Sequence, residues 1–284
     1  MIASLTVLGA LFAVPCASTD VPTELWQVAP DTSEKPWDVP ARPGEKTRAV
    51  VLIHGLFVHP LRPALATKPW RRDWQEPKSE LVKVLSKDAD VFAFAYAQIT
   101  PVEDVTDGPG LRGAVARLRK AGYKEIVLVG HSAGGVIARQ FVERYPTAGV
   151  TKVIAVAAPF AGVDLATLNV GYPKVQAPFV KSLAPEAREE AAKTNKPLGK
   201  NVELVCVVCK LKLVDTDGLV GTTSQWSADL QGLGVPVVHV PCDHFTVMYH
   251  PATANTIAKL IRDKLVRWEQ NEVEQARKVL FGDK

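Results

Sequence analysis

The stretch Ile126-Val127-Leu128-Val129-Gly130-His131-Ser132-Ala133-Gly134 decides the fold. Four apolar residues in a row read as a buried strand. The pentapeptide G-x-S-x-G follows at once, and a helix-like stretch occupies residues 136–145. A serine between strand and helix sits on a sharp turn. Gly130 and Gly134 keep side chains out of that turn, and the hydroxyl is thrust into a cleft at a helix N-terminus that favours developing negative charge.

A serine hydroxyl is a weak nucleophile near neutral pH. It needs a base, a group that orients the base, and donors for an oxyanion. The run Ala49-Val50-Val51-Leu52-Ile53 is a second β-type segment and leads into His54-Gly55-Leu56. There the N–H of Leu56, together with that of Ala133, could face the cleft. His54 itself reads as a packed turn residue. For the orienting acid, the strand-like run 202–208 leads to Asp215-Thr216-Asp217-Gly218. Asp217, before a glycine on a loop beyond a late strand, is favoured over Asp215, although Asp-Gly is also a common turn pair. For the base, Pro236-Val237-Val238-His239-Val240 reads as a last strand and Asp243-His244-Phe245 lies beyond it. His244 is favoured because α/β sites are built at the C-terminal ends of strands. His239 falls within the strand and His250 precedes a proline. The order Ser132, Asp217, His244 is the Ser…Asp…His order of one fold.

With these residues in view, the chain resembles the α/β-hydrolase superfamily and, within it, the bacterial lipase and esterase branch. Four stretches carry the likeness: Val51-Leu52-Ile53-His54-Gly55-Leu56, Gly130-His131-Ser132-Ala133-Gly134-Gly135, Ala158-Pro159-Phe160-Ala161-Gly162 and Asp217-Gly218-Leu219-Val220-Gly221. The third is similar to the turn after the sixth strand of triacylglycerol lipases, the fourth to the acid turn of secreted bacterial lipases. The resemblance spans roughly residues 47–262. It implies nucleophile Ser132, acid Asp217, base His244, oxyanion donors Leu56 and Ala133, and carboxylic-ester hydrolysis through an acyl-enzyme without a cofactor. Some related lipases bind a structural calcium. No loop here matches that site, so no metal is carried over. Two alternatives stay open: acyl transfer to an alcohol on the same fold, and a non-catalytic binding protein on a hydrolase scaffold.

The rest of the chain agrees with an α/β fold. Strands are expected at 48–53, 90–96, 125–130, 151–157, 202–208 and 236–240, and helices at 78–87, 110–121, 133–145 and 254–282. Strands of Val, Ile and Ala without polar alternation belong in a mostly parallel sheet with helices on both faces. A chain of 284 residues can bury a single large core. Residues 160–200 interrupt the alternation. Leu165, Leu168, Val170, Val175, Phe179 and Val180 are apolar, and Pro185-Glu186-Ala187-Arg188-Glu189-Glu190 reads as a short charged helix. Such an insertion is expected to form a lid or acyl-chain wall, or else a packed surface excursion.

Residues 1–18 read as a signal peptide. Positions 2–14 are almost wholly apolar, and Pro15-Cys16-Ala17-Ser18 offers small residues for cleavage, although no Lys or Arg lies near Met1. Export is therefore expected, and Pro15 argues against acylation of Cys16. Residues 19–46, with Pro22, Pro30, Pro36, Pro40 and Pro43, read as an extended arm anchored by Trp26 and Trp37. Cys206 and Cys209 lie three apart on one strand and should point to opposite faces. Cys209 and Cys242 lie near the ends of neighbouring strands, where a bridge or two buried thiols are both open readings. The net charge of +4 comes without a basic stripe, which excludes nucleic acid as the expected partner. The implied partner is a small-molecule or lipid ester, with transient contact at a lipid surface in the second case.

Overall fold

The computed structural model describes residues 20–38, 42, 45–164, 171–194, 196–199 and 201–282. The expected signal peptide at 1–18, Cys16, Pro40, Pro43, and the insertion's Leu165, Leu168 and Val170 lie outside these residues. Seven strands form one sheet in the order β1-β3-β2-β4-β5-β6-β7. They are β1 (Thr23–Ala29), β2 (Arg48–Ile53), β3 (Asp90–Tyr96), β4 (Glu125–His131), β5 (Lys152–Val156), β6 (Glu203–Cys209) and β7 (Val237–Val240). All pairings from β3 to β7 are parallel. The continuous apolar runs have the consequence expected of a sheet covered twice. Ala49, Val51 and Ile53 of β2 face one core, Val50 and Leu52 the other.

The helices divide between the two faces. α3 (Pro109–Lys120), α4 (Ala133–Arg144) and α10 (Gln270–Phe281) bury their apolar residues in the first core; α1 (Glu80–Leu85) and α9 (Pro251–Arg262) bury theirs in the second. Expected and observed boundaries agree closely for α3 and α4. The expected helix at 254–282 is two helices, and the two faces explain the break. One straight helix cannot pack on both sides of a sheet. The chain leaves α9 at Asp263, whose backbone is extended. There the buried Lys152 ammonium donates to the carbonyls of Leu260, Ile261 and Asp263 and so closes the helix. Trp268 N–H then bonds Gly234 O at 2.7 Å, and α10 starts on the opposite face.

Residues 20–38 do more than run as an arm. β1 pairs antiparallel with β3 at the sheet edge, from Thr23 opposite Tyr96 to Ala29 opposite Val91. Leu25 is buried in the first core, and Trp37 packs edge-on against Phe92 at 4.9 Å. Pro22 and Pro30 flank the strand, a place where an edge tolerates proline.

The insertion contains α5 (Ala177–Lys181) and α6 (Pro185–Lys193), and the short helices α7 (Thr222–Gln225) and α8 (Ala228–Gly232) lie between β6 and β7. Phe179 and Val180 are fully buried, and Val163 N–H bonds Leu183 O at 2.9 Å. Ser182 Oγ accepts from Val102 N–H at 3.1 Å, and Arg188 pairs with Glu103, so the insertion is tied to α2 (Val102–Asp107). Cys206 and Cys209 point to opposite cores as their spacing requires, and Cys242 lies in the same core as Cys209. These three cysteines are buried free thiols, so the bridge from Cys209 to Cys242 is absent from this structure. Burial pushes the Cys206 thiol up to about 12 and raises Cys209 further. Among the described residues, no helix is long and apolar enough to cross a membrane.

Because β1 is part of the sheet, Leu25→Ala should cost about 2–5 kcal/mol, the usual cost of emptying a buried leucine site. Glu24→Ala, on the half-buried side of the same strand, should cost under about 1 kcal/mol. Urea unfolding midpoints of the purified variants decide this. A neutral Leu25→Ala would mean the strand contributes nothing to the core.

Candidate active site

Four turns meet at the C-terminal ends of β2, β4, β6 and β7. The turn after β4 holds Ser132 at φ 54°, ψ −128°, outside the regions open to most residues. Its N–H bonds Val156 O at 2.9 Å and its carbonyl accepts from Gly135 N–H at 2.9 Å. The glycines of the motif are forced by contact. A Cβ on Gly134 would lie 2.2 Å from Ile53 O, and one on Gly130 would lie 2.3 Å from Gly134 O. α4 therefore sits flush against the end of β2.

Ser132 Oγ lies 3.0 Å from His244 Nε2. His244 Nδ1 lies 2.7 Å from Asp217 Oδ2. All three residues are buried. The loop after β6 shapes the carboxylate. Asp217 Oδ1 accepts from the N–H groups of Leu219 and Val220 at 2.9 and 2.7 Å, and Gly218 takes φ +96° to close this turn. Oδ2 also accepts from Gln225 Nε2 at 3.2 Å. A backbone bond joins the two loops, since His244 N–H donates to Asp217 O at 2.9 Å. The alternatives point elsewhere. Asp215 pairs with Lys210 at 2.8 Å and is half exposed. His239 is exposed on the edge strand β7, and His250 is an exposed residue preceding α9.

Two further histidines border the site. His131, inside the motif itself, donates from Nε2 to His244 O at 3.0 Å; a carbonyl only accepts, so Nε2 carries the proton. Its ring lies 4.9 Å from that of His244. Burial, then the neighbouring His244, holds it well below the ordinary histidine range. His54 stacks on Tyr96 at 4.4 Å and donates from Nδ1 to Gly55 O at 2.8 Å. Burial lowers it to about 4. Gly55 touches the Ser132 turn: a Cβ there would lie 2.5 Å from Ser132 Cβ. The peptide that follows, carrying Leu56 N–H, is thus brought beside Ser132.

The arrangement brings together Gly55-Leu56 after β2, Ser132 and Ala133 after β4, Asp217 after β6 and His244 after β7. Sequence reading missed His131, Gln98, Gln176 and Gln225. A buried glutamine leaves no motif in a sequence, whereas His131 stood inside one and was passed over. Chemically, a hydroxyl, an imidazole and a carboxylate in line can move one proton from oxygen to nitrogen and stabilise the cation formed. Among the described residues, no group of three or more His, Cys, Asp or Glu is placed to hold a metal ion.

A family model described as an alpha/beta hydrolase family matches residues 50–256. No curated protein sequence matches the chain. Among solved structures, the mature form of a lipase from Bacillus licheniformis superposes with a TM-score of 0.60 at 14% identity, over 78% of this chain and 94% of that one. A metagenomic carboxyl esterase superposes with a TM-score of 0.52 at 15% identity, over 89% of this chain and 83% of that one. At such identities the likeness is one of fold.

The buried histidines couple stability to pH. An unfolded histidine titrates near 6.5 and folded His54 near 4, so between these values the unfolded chain binds more protons. Stability is fully present above about 6.5 and falls as pH drops toward 4, by up to about 3 kcal/mol from His54. His131 adds to the same slope. His54→Phe keeps a ring against Tyr96 and should remove the His54 share. Urea midpoints at pH 7, 5.5 and 4 for both proteins measure it, and parallel curves would refute the coupling.

Proposed function

The chain belongs to the alpha/beta hydrolase family, and we propose that it cleaves carboxylic esters through an acyl-enzyme. The observation that carries this reading is the unbroken line of contacts from Ser132 Oγ through His244 to Asp217, mounted on turns after three parallel strands. In the proposed cycle His244 Nε2 takes the Ser132 proton as Oγ bonds to the ester carbonyl carbon. Asp217 keeps the imidazole oriented and offsets the charge of the imidazolium. The N–H groups of Leu56 and Ala133 receive the oxyanion. The bond to the alcohol oxygen breaks, and the alcohol leaves with the proton from His244. Water then gives a proton to His244 and its oxygen to the acyl carbon. The acid departs as the proton returns to Ser132 Oγ.

The substrate class is a small-molecule or lipid ester. The apolar run at 2–14 supports export. The fold likeness to a lipase and to a carboxyl esterase is consistent with this substrate class.

Ser132→Ala should leave folding intact and lower turnover of a nitrophenyl ester by roughly 10⁴-fold or more. Labelling by a fluorophosphonate probe should vanish with it. Near-normal turnover in the purified variant would sink the assignment of the nucleophile.

The two acids separate in the same assay. Asp217→Asn should lower kcat by about 10³- to 10⁴-fold, because the amide neither fixes the imidazole tautomer nor offsets its charge. Asp215→Asn, which loses a half-exposed pair with Lys210, should stay within about threefold. The reverse ranking would move the acid by two positions.

A further inference from the structure

The loop after β2 is held in an unusual way, and the insertion takes part. Over residues 54–59, side chains capture the backbone in turn. Tyr96 OH donates to His54 O at 2.6 Å. Gly55 O accepts twice, from His54 Nδ1 at 2.8 Å and from Gln98 Nε2 at 2.8 Å. Phe57 N–H donates to Gln98 Oε1 at 2.9 Å. Phe57 O accepts from Gln176 Nε2 at 2.9 Å, and His59 N–H donates to Gln176 Oε1 at 3.1 Å. The two glutamine side chains meet each other at 3.5 Å. Gln98 follows β3, whereas Gln176 comes from the insertion, directly before α5. Gln176 is fully buried and Gln98 nearly so.

The carbonyl of Gly55 and the N–H of Leu56 belong to one peptide unit. That unit is planar and trans, so its C=O and N–H point in opposite directions. Two donors pinning Gly55 O therefore aim Leu56 N–H the other way. The same two bonds polarise the unit, which makes its N–H a stronger donor. The two glutamines cannot flip without loss. Each amide faces a carbonyl on one side and an N–H on the other, so its orientation is dictated by the backbone it serves.

We propose that Gln98 and Gln176 are positioning residues that set the Leu56 N–H of the oxyanion site, and that the insertion thereby supplies a working part of that site. The inference rests on the ester-hydrolase reading for its catalytic consequence, although not for the contacts themselves. Gln98 acts on the Gly55–Leu56 peptide directly. Gln176 acts one step away, by fixing Phe57, His59 and the Gln98 amide. The insertion is then fastened to the site where it would otherwise be a cover over it.

The test uses the full chain with Gln98→Leu, Gln98→Glu and Gln176→Met, read by nitrophenyl ester kinetics and by backbone amide exchange in NMR. Gln98→Leu should lower kcat by about 10- to 100-fold, since small misplacements of an oxyanion donor are costly. KM should stay within about twofold, and the acid limb of the kcat/KM profile should not move, because the His244 pair is untouched. Exchange at Phe57 N–H should speed up. Gln98→Glu separates positioning from mere support. Its carboxylate still accepts from Phe57 N–H but cannot donate to Gly55 O, so protection at Phe57 should return while kcat stays low. Gln176→Met should speed exchange at His59 N–H and lower kcat by a smaller factor, about 3- to 10-fold. A Gln98→Glu enzyme that regains full kcat overturns the proposal, and so do variants whose Phe57 and His59 amides keep their protection. If the unaltered chain turns over no ester, the ester-hydrolase reading fails, and amide protection then decides by itself whether the glutamines hold the loop.

Discussion

The backbone of Ser132 is the constraint on which the rest depends. At φ 54° and ψ −128° a residue with a Cβ costs about 1–3 kcal/mol, and it persists only where its surroundings leave no alternative. Those surroundings are the centre of the sheet. β4 lies between β2 and β5; Val156 O of β5 takes the Ser132 N–H, and the end of β2 abuts Gly134. α4 cannot back away, because it is buried along nearly all its length, from Ala133 to Glu143. Even its polar residues are enclosed: Arg139 pairs with Glu143 at 2.8 Å and with Asp229. The strained turn is thus clamped by strands on two sides and a fully packed helix beyond.

The other turns need a different solution, since they leave the sheet and lose its ladder of hydrogen bonds. Buried backbone groups there must find partners or cost about 1–3 kcal/mol each. This protein uses side-chain amides for that purpose. Gln75 donates to Leu52 O at 2.8 Å at the end of β2. Gln98 and Gln176 continue along the same loop. In the acid loop, Gln225 accepts from Cys209 N–H at 2.7 Å and donates to Cys209 O at 2.9 Å, to Val220 O at 3.0 Å and toward Asp217. A glutamine offers a donor and an acceptor at the end of a long stem, so one side chain can replace two missing ladder bonds. These loops are held for the same reason that strands are, with amides standing in for a neighbouring strand.

This explains which parts were legible in the sequence. The turn at Ser132 could be read because it needs glycines at fixed spacing after an apolar run, and both requirements are local. Asp217 and His244 could be read because each stands just past a strand whose residues announce it. β1 was hidden because Thr23-Glu24-Leu25-Trp26-Gln27-Val28-Ala29 lies between prolines and owes its place to a partner strand some sixty residues on, which no local pattern reveals. The break between α9 and α10 was hidden because it depends on Lys152, more than a hundred residues earlier, reaching the last carbonyls of α9. The glutamines were hidden for both reasons. Their partners are distant, and a buried amide looks in sequence like any exposed one. Asp215 and Asp217 show the limit of local reading. Both sit in the same turn, and only the fold directs one to Lys210 at the surface and the other to His244.

The same logic separates the histidines that crowd the site. His54 and His244 are buried and His131, next to Ser132 in the chain, is half-buried, and all three stand around the same turns. Burial disfavours a charged imidazole unless an opposite charge lies beside it. His54 faces Gly55 O and Tyr96; His131 faces His244 O and Trp74. The two carbonyls accept a hydrogen bond but carry no full charge, and the aromatic rings carry none, so both histidines stay neutral donors that tie loops together. His244 alone of the three is bonded to a carboxylate, which is what a ring must have if it is to carry a proton during a reaction. Three identical side chains are therefore divided between structure and chemistry by a single contact, that of His244 with Asp217. That contact exists because the Asp217-Gly218 turn and the loop after β7 share a backbone hydrogen bond. The proposed base is selected by the loop pairing that delivers its carboxylate; His131 holds the His244 end of that pairing through His244 O, and His54 holds the separate loop after β2 through Gly55 O.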